Sequence, residues 1–594
     1  MDKAGIAKAL EEIGTLLELK DENPFKIRAY ANAARSIEAW GGNVSDLQDE
    51  EALAKIPGVG KAIAAKVKEL AGTGSLKYLD ELRAEFPPAI LQLFSISGLG
   101  AKKIKALHEQ LHINSIDELL NACKSGQVAQ LGGFGETTQA KICQAIEQRA
   151  KHAGTFQLGQ IAVEAETLLA ELKGHPEVLQ AELAGSYRRR KEIVRDLDYI
   201  VATRHPETIT NLLVSHALVE SVIAQGATKT SVRLRSGIQC DLRVVAPDEY
   251  PFALNYFTGS KEHNIEMRNR ALKRGWTLNE YRLAPLPPEA IDGKKKTAKT
   301  KKSAPAKVPP ILDEPALYGA LGLDFIPPEL RENTGEFDAA ENHSLPRLIE
   351  KENLRGAFHC HTTASDGHNT LEEMAEAAQE LGLEYLGIAE HSRSSIQAHG
   401  LDEAKLRVQM ERIREMNKNF KGFRLFAGIE CDILRDGSLD FPDEILAQLD
   451  FAVASIHSVF NLSEADMTKR IIRAMENPYI TLLGHPTGRL LLKRDGYAVD
   501  IPAILDAAAA TGTWIELNAA PKRLDLDWRW WPLAKQKGVK CVINPDAHRT
   551  ERLQDLWFGI GTARKGWLTK QDVVNCLPLG KIEDAMMAKR KRRL

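Results

Sequence analysis

Residues 359–367 read HCHTTASDG, and this stretch decides the fold of the C-terminal half of the chain. His359 and His361 are separated by one residue, so on a β-strand their side chains point to the same side. Asp366 follows on the loop, and an apolar pair precedes the two histidines, as expected for a buried strand that ends there. By itself the stretch indicates a candidate metal site and nothing more specific.

The same arrangement recurs along the rest of the chain, where short apolar runs alternate with helical stretches. Six of these runs end in histidine or a carboxylate, which supplies nine candidate ligands: His359, His361, Asp366, His391, Glu430, His457, His485, Asp546 and His548. A seventh run, TWIELNA (513–519), offers only Glu516 and Asn518. Repeated strand-helix units with functional residues at the strand ends predict a TIM-like α/β barrel of seven strands.

The nine candidate ligands predict a metal centre with three ions, since they exceed what one or two ions require. Nitrogen and carboxylate donors without thiolates suit Mn²⁺, Zn²⁺ or Fe²⁺ better than Ca²⁺. Such a cluster lowers the pKa of a bridging water and neutralises phosphate charge, so the expected reaction is phosphoester hydrolysis.

The composition is that of a globular protein. Several domains are expected, because 594 residues are too many for one core. No run of about 18 apolar residues is present, and the seven cysteines form neither CxxC pairs nor a disulfide framework. We therefore expect a cytoplasmic protein with no membrane segment and, since no apolar surface repeat compels an oligomer, a monomer. The lysine-rich residues 288–310 have almost nothing to bury and predict a flexible basic linker.

Three glycine turns in the N-terminal part are helix-hairpin-helix candidates: IPGVGKAIAAKV (56–67), SISGLGAKKIKAL (95–107) and LGGFGETTQAKICQAI (131–146). Glycine permits a tight turn, and the amides of the following helix N-terminus can hold a phosphate oxygen. Three copies favour sequence-independent binding to a nucleic-acid backbone. The candidate contacts are Gly58, Gly60, Lys61, Gly98, Gly100 and Lys102.

A set of carboxylates follows in AELAGSYRRRKEIVRDLDYIVAT (181–203), where Asp196 and Asp198 face one side of a predicted strand. A second strand-like run supplies Asp241. Three carboxylates on adjacent strands are suited to two Mg²⁺ or Mn²⁺ ions that align the reacting oxygens of phosphoryl transfer. Just upstream, the residues Gly185, Ser186 and Arg189 can cradle a triphosphate.

The segments GSYRRRKEIVRDLD, CDLR and YFTGSKEHNIEMRNRAL (256–272) resemble the family X DNA polymerases, and the resemblance runs from the first helix to about residue 340. It implies that Asp196 and Asp198 bind both metals and that Asp241 takes the proton from the primer 3′-hydroxyl. The residues implied to contact the incoming deoxynucleoside triphosphate or the nascent base pair are Ser186, Arg189, Tyr256, Phe257, Gly259, Asn264 and Arg268.

The resemblance also assigns the first hairpin to a small domain that grips the 5′-phosphate of a gap. Lys66 matches the lysine that forms the Schiff base of a 5′-deoxyribose-phosphate lyase in some members. Two positions depart from the commonest pattern, which has glycine where this chain has Arg190 and Arg195. An arginine there can either add a phosphate contact or block the close backbone approach that glycine allows.

Residues 350–575 resemble a PHP (polymerase and histidinol phosphatase) domain through the motifs HxH, SDG, EH, GxE, SIH, GHP and DAH. One motif usually has aspartate where this chain has Glu390. The resemblance implies a Mn²⁺-dependent 3′-5′ exonuclease, with 3′-phosphatase or abasic-endonuclease activity in some members. Three basic residues near the predicted rim can bind a nucleic-acid backbone: Arg393, Arg435 and Lys493.

The predicted fold is multidomain, with helical helix-hairpin-helix domains, an α+β nucleotidyltransferase palm with a thumb, and a TIM-like (βα)7 PHP barrel. The predicted boundaries are 1–85 for a small lyase-like helical domain, 86–150 for a fingers-like domain, 151–250 for the palm, 251–340 for the thumb, 350–575 for the PHP domain and 576–594 for a basic tail. The main hypothesis is a base-excision-repair enzyme that fills short gaps in primed double-stranded DNA and trims 3′ ends. The alternatives are a phosphoesterase for a small phosphorylated metabolite, with a polymerase-inactive DNA-binding half, and a scaffold with neither activity.

Overall fold

The computed structural model describes residues 3–39, 47, 49, 53, 56, 58–87, 89–96, 98–151, 153–286 and 307–593. The chain divides into two compact units, Met1–Ala153 and Gly154–Leu594. Most of the predicted basic linker lies in 287–306, outside the described residues. Within the part of the chain that is described, no helix has both the length and the apolar character needed to cross a bilayer.

The first unit is helical, and its buried side chains form one continuous core from Ile6 to Ile146. Its α-helices are α1 (Lys3–Leu19), α2 (Pro24–Ala39), α3 (Lys61–Thr73), α4 (Lys77–Ala84), α5 (Ala101–Leu111), α6 (Ile116–Lys124) and α7 (Gly135–Lys151). Each of the three predicted glycine turns is followed directly by a helix, namely α3, α5 and α7. The turns contain glycines with positive φ at Gly58 (82°), Gly98 (89°) and Gly133 (87°), which explains why glycine is needed there.

The second unit begins with the predicted palm, whose five-stranded sheet has the strand order β2-β4-β7-β6-β5. The strands of this region are β1 (Phe156–Gln157), β2 (Val178–Leu183), β3 (Ile193–Val194), β4 (Asp196–Thr203), β5 (Val219–Gln225), β6 (Lys229–Leu234) and β7 (Gln239–Val245). Of these, β1 and β3 form a separate two-stranded sheet. The helices of this region are α8 (Leu158–Gly174), α9 (Gly185–Arg188), α10 (Pro206–Val214) and α11 (Tyr250–Thr258). Strands β4 and β7 are parallel, whereas the other pairs in the sheet are antiparallel.

Strand β4 is covered on both faces, which fixes the position of its two aspartates. Tyr199 and Val201 pack in the core that includes α8, while Ile200 and Ala202 pack with side chains of α11. This alternation is what a strand between two layers of helices requires. The carboxylates therefore stand at the beginning of a rigid strand.

The predicted thumb follows, and buried ion pairs link it to the palm. Its elements are α12 (Lys261–Lys273), β8 (Trp276–Leu278), β9 (Leu283–Pro285), α13 (Glu314–Ala320) and α14 (Glu336–Glu341). Glu314 accepts hydrogen bonds from Arg331 at 2.6 Å and from Arg188 at 2.7 Å. Because a buried charge is tolerated only when it is paired, this carboxylate holds the end of α9 against the thumb.

The C-terminal half is a nearly closed barrel of seven parallel strands in sequence order, which confirms the prediction from the strand-end pattern. The strands are β10 (Gly356–Cys360), β11 (Tyr385–His391), β12 (Arg424–Asp432), β13 (Val453–Ser455), β14 (Leu482–Leu483), β15 (Trp514–Asn518) and β16 (Cys541–Asn544). The first and last strands meet through a parallel bridge between Cys360 and Ala547. The surrounding helices are α15 (Leu371–Glu380), α16 (Glu403–Asn417), α17 (Asp443–Leu446), α18 (Glu464–Met475), α19 (Ile501–Thr511), α20 (Trp531–Gln536) and α21 (Leu556–Lys565).

Large apolar side chains fill the barrel interior below the predicted metal site. Phe358, Tyr385, Phe426 and Phe451 form one buried cluster with side chains of the later strands. Residues 576–594, predicted as a basic tail, include helix α22 (Leu579–Arg593). Its Ile582 and Met586 are buried in the same cluster, so the helix packs on the barrel because of its apolar residues.

Candidate active sites

The three predicted palm carboxylates lie at adjacent positions of the parallel strands β4 and β7. Asp198 stands opposite Asp241 in the register, and Asp196 stands opposite Gln239. Burial, together with the nearby carboxylates of Asp196 and Asp241, raises the pKa of Asp198 to about 7. Three acids held this close repel one another, and a divalent cation relieves that repulsion.

Asp241 has the opposite shift. Burial raises the pKa of this carboxyl, but hydrogen bonds from Lys229 and Gln239 lower it on balance. The Lys229 Nζ atom lies 2.6 Å from Asp241 Oδ2, and Gln239 Nε2 lies 3.0 Å from Oδ1. Asp241 is therefore ionised at neutral pH.

A pocket of about 380 Å³ opens beside Asp196 and Asp198. It is lined by Gly185, Ser186, Arg189, Asp196, Asp198, Tyr256, Phe257, Gly259, Lys261, Asn264 and Arg268. The structure thus brings all the predicted nucleotide-binding residues to one cavity. Lys261 was not predicted; it begins helix α12 directly after the N-cap residue Ser260, and a lysine at that position resembles an ordinary solvated residue.

Two glycines of this pocket are required by close approach and positive φ. A Cβ on Gly185 (φ +58°) would lie 2.4 Å from Asp198 Oδ2. A Cβ on Gly259 (φ +71°) would lie 3.0 Å from Nη1 of Arg189, whose Nε donates to Glu332 Oε1 at 3.0 Å. The two glycines therefore admit the metal-site carboxylate and the predicted phosphate-binding guanidinium.

Neither of the two arginines that replace glycine lines this pocket. Arg190 adopts φ +54° and places its guanidinium 4.0 Å from the ring centre of Trp557 in helix α21, away from the pocket lining. Arg195 is exposed and does not line the pocket either. Arginine tolerates the left-handed conformation at position 190 because its side chain is packed against the barrel.

The two predicted DNA-contacting hairpins of the first unit have open glycine positions. Nothing lies within 4 Å of a Cβ placed on Gly60 or Gly100, and each glycine precedes its helix without a side-chain cap. A phosphate can therefore approach the helix amides.

Lys66, the lysine that matches the lyase nucleophile, donates to the carbonyl of Ala62 at 3.2 Å, and its Nζ lies 4.7 Å from the ring centre of Tyr78.

The nine predicted ligands of the barrel meet at the carboxyl ends of its strands. Three of them have positive φ, at His359 (60°), His485 (23°) and Asp546 (51°), and the pairing of β10 with β11 shifts between Ala357 and Cys360. Simple strand alternation therefore does not explain how the first two histidines converge. Backbone strain of this kind is concentrated at functional sites.

Glu430 is the centre of this cluster, because its carboxylate is surrounded by imidazoles. Its Oε1 lies 2.9 Å from His485 Nε2, 3.1 Å from His359 Nε2 and 3.2 Å from His457 Nε2. Its Oε2 lies 2.9 Å from His391 Nδ1. The imidazoles overcome the effect of burial and hold the pKa of Glu430 well below its usual range.

The cluster fits several divalent ions. Four overlapping groups have ligand atoms within 4.8 Å of one another: His361, Asp366, His391 and His548; His359, His485 and Asp546; His359, His361 and Glu430; His391, Glu430 and His457. Buried atoms of this set lack hydrogen bonds, including both ring nitrogens of His361 and Oε2 of Glu430. Burial and the neighbouring imidazoles lower the pKa of His361 to about 3, which leaves it neutral and able to ligate.

A second layer of side chains holds the ligands in place. Glu516 accepts from His359 Nδ1 at 2.7 Å, Asp432 pairs with His457 Nδ1 at 2.5 Å, and Asn518 donates to Asp546 at 3.0 Å. Glu516 and Asn518 were predicted at a strand end without a role, and Asp432 was not predicted, although its i+2 spacing from Glu430 on β12 was a usable signal. Such contacts orient imidazoles toward a metal.

Glu390, the residue in place of the usual aspartate, does not belong to the metal-ligating groups. Its carboxylate accepts hydrogen bonds from Thr362 Oγ1 at 2.5 Å, from Ser365, and from Gln409 Nε2 at 3.2 Å. It therefore holds the loop that carries Asp366.

Of the predicted rim cations, Arg393 forms an ion pair with Asp440, with Nε 3.3 Å from Oδ1.

Removal of divalent metal is expected to destabilise the barrel, because unpartnered buried ligands would then face one another. At a metal concentration about 100 times the dissociation constant, binding contributes about 3 kcal/mol, which corresponds to a thermal midpoint about 5 to 10 °C higher for a domain of this size. Calorimetry of chelated protein with and without added Mn²⁺ measures the shift. Identical midpoints would contradict a resident metal centre.

Sequence models of known families match four parts of the chain. They are a helix-hairpin-helix domain at 1–76, a SAM-like helix-hairpin-helix tandem at 90–149, a DNA polymerase beta thumb at 253–332 and a PHP domain at 357–520. These matches place a polymerase-type thumb and a PHP domain in the same chain.

Comparison with whole proteins gives relatives of two kinds. The chain is 37% identical over 585 residues to the DNA polymerase/3′-5′ exonuclease PolX of Bacillus subtilis (strain 168), an alignment that covers 98% of this chain and 99% of the relative. It is 30% identical over 247 residues to a probable phosphatase of Thermoanaerobacter sp. (strain X514), which covers 39% of this chain and 95% of that protein. It is 32% identical over 206 residues to a probable phosphatase of Caldicellulosiruptor saccharolyticus, with 32% of this chain and 78% of that protein covered.

Proposed function

The chain belongs to the PolX family of DNA polymerase/3′-5′ exonucleases, and on that premise we propose that it fills short gaps in DNA and removes unsuitable 3′ ends in base excision repair. We propose gapped or primed double-stranded DNA and deoxynucleoside triphosphates as its substrates, and the cytoplasm as the compartment in which it acts. The observation that carries the proposal is the presence of two separate ligand sets in one chain, the carboxylates of the palm pocket and the nine residues of the barrel rim.

In the palm, we assign to Asp196, Asp198 and Asp241 the binding of two Mg²⁺ or Mn²⁺ ions. The ions, when bound, supply positive charge that neutralises the phosphates and aligns the reacting oxygens. Asp241, kept ionised by Lys229, accepts the proton of the primer 3′-hydroxyl. The reaction therefore requires an ionised Asp241 beside the primer end.

The remaining pocket residues bind the incoming nucleotide. Its phosphates are held by Gly185, Ser186 and Arg189, because backbone amides, a hydroxyl and a guanidinium donate hydrogen bonds to phosphate oxygens. The other lining residues position the sugar and the nascent base pair: Tyr256, Phe257, Gly259, Asn264 and Arg268. Nucleotide binding and carboxylate chemistry are thus adjacent.

In the barrel, the nine ligands hold three ions, with Mn²⁺, Zn²⁺ or Fe²⁺ as the candidates that suit their nitrogen and carboxylate donors. Six of the nine ligands are buried, whereas Asp366, His457 and His548 are partly exposed and form the accessible side. A 3′-terminal phosphodiester enters from that side and is hydrolysed. The hairpins of the first unit bind the DNA backbone without reading its sequence.

Two gapped duplexes, one with a mispaired and one with a correctly paired 3′ terminus, test the two activities. With Mg²⁺ or Mn²⁺, wild-type protein is expected to shorten the primer when nucleotides are absent and to fill the gap of a correctly paired duplex when they are present. A chelator is expected to stop both reactions. Shortening without any incorporation would reject the polymerase assignment and favour a phosphoesterase with an inactive palm.

A further inference from the structure

Helix α21 of the barrel ends in a fully buried lysine that points into the palm–thumb region. Lys565 Nζ lies 2.6 Å from Glu332 Oε1, 3.3 Å from the carbonyl of Glu329 and 3.2 Å from the carbonyl of Arg189. The ring centre of Trp528 lies 4.6 Å away. Burying an ammonium group is costly unless it is paired, so four partners around one nitrogen indicate a specific contact.

The same carboxylate oxygen holds the side chain of Arg189. Glu332 Oε1 accepts from Arg189 Nε at 3.0 Å as well as from Lys565 at 2.6 Å. Lys565 therefore acts on Arg189 twice, through its backbone carbonyl and through the carboxylate bound to its guanidinium. Lys191 reaches the other oxygen of Glu332 at 3.6 Å.

Arg190, the next residue after Arg189, packs against the same helix α21. The guanidinium of Arg190 lies 4.0 Å from the ring centre of Trp557, and a Cβ on Gly561 would lie 3.2 Å from Arg190 Cδ. The departure from glycine at position 190 thus creates a docking contact. The turn that carries Arg189 is held by the beginning and the end of one barrel helix.

We propose that Lys565 is a positioning residue of the nucleotide site, through which the PHP barrel holds Arg189 in the orientation that binds the triphosphate. This inference rests on the proposed polymerase function. Without the lysine, the carbonyl of Arg189 loses a donor, and Oε1 of Glu332 is left with the Arg189 guanidinium, which it draws away from the pocket. The barrel is then required for nucleotide binding as well as for hydrolysis of 3′ ends.

Single-nucleotide gap filling by the full chain tests the proposal. Lys565→Met is expected to raise the KM for the nucleotide about tenfold to a hundredfold, the range for loss of a charge-assisted hydrogen bond, while kcat changes less. Glu332→Gln is expected to raise KM as well, and the double variant is expected to show less than the product of the two effects, because both act on Arg189.

The matched control is Arg529→Met, which breaks another barrel–palm ion pair, the 3.3 Å contact with Glu192, without touching Arg189. Its KM is expected to stay within twofold of wild type. The rate of 3′ degradation by each preparation reports whether the barrel is folded.

A wild-type KM in folded Lys565→Met overturns the proposal. If that variant also loses 3′ degradation through misfolding, the result for Glu332→Gln decides, and an unchanged KM overturns the proposal again. Absence of gap filling by the wild type would instead reject the polymerase function on which the inference rests.

Discussion

Glutamine in place of Glu430 is expected to reduce 3′ degradation by a factor of about 10³ or more while gap filling continues at the wild-type rate. The carboxylate contacts four imidazoles at 2.9 to 3.2 Å and belongs to two of the overlapping ligand groups. Glutamine preserves the volume of the side chain but removes its charge and one ligand oxygen. The barrel then binds fewer ions and stabilises phosphate charge poorly.

The measurement is primer shortening on a mispaired duplex, together with the metal content of the purified protein. Glu444→Gln is the matched control, since Glu444 is an exposed glutamate of the same domain. It is expected to retain wild-type degradation and metal content. Degradation by Glu430→Gln at the wild-type rate, with a full complement of metal, would show that the cluster around Glu430 is not the hydrolytic site.

The sequence predicts the barrel and its ligands because both follow from local patterns. A strand end is marked by an apolar run, and a ligand such as His391 or Glu430 is marked by its position at that end. Parallel strands bring such positions together whatever the distance along the chain. The same reasoning predicts Asp198 and Asp241 on adjacent strands, and the structure has them opposite each other in the register of β4 and β7.

Features that depend on distant partners could not be predicted in this way. The role of Arg190 depends on Trp557, and the hydrogen bond of His359 joins it to Glu516 on another strand. No local pattern encodes such pairs. The positive φ of His359 is also invisible in the sequence, because histidine has no intrinsic need for that conformation.

Asparagine in place of Asp198 is expected to have opposite effects on activity and stability. Gap filling should fall by a factor of about 10³ or more, because a ligand of both palm ions is lost, while 3′ degradation is unchanged. Folding raises the pKa of Asp198 from 3.8 to about 7, so the ionised carboxylate is disfavoured in the folded protein. The resulting loss in the free energy of unfolding is absent below about pH 4, and above about pH 7 the carboxylate is ionised in the folded protein too, so the loss is complete.

A neutral amide removes the cost, so metal-free Asp198→Asn is expected to be more stable than wild type by about 1 to 3 kcal/mol at pH 8 and by little at pH 4. Thermal unfolding in the presence of a chelator measures the difference at both pH values. Asp248→Asn, at an exposed aspartate of the same domain, is the control expected to change neither quantity. A variant that loses gap filling and also loses stability at pH 8 would mean that Asp198 is a structural residue, because a carboxylate whose ionised form is disfavoured by burial and by the neighbouring Asp196 and Asp241 should give stability when it is neutralised.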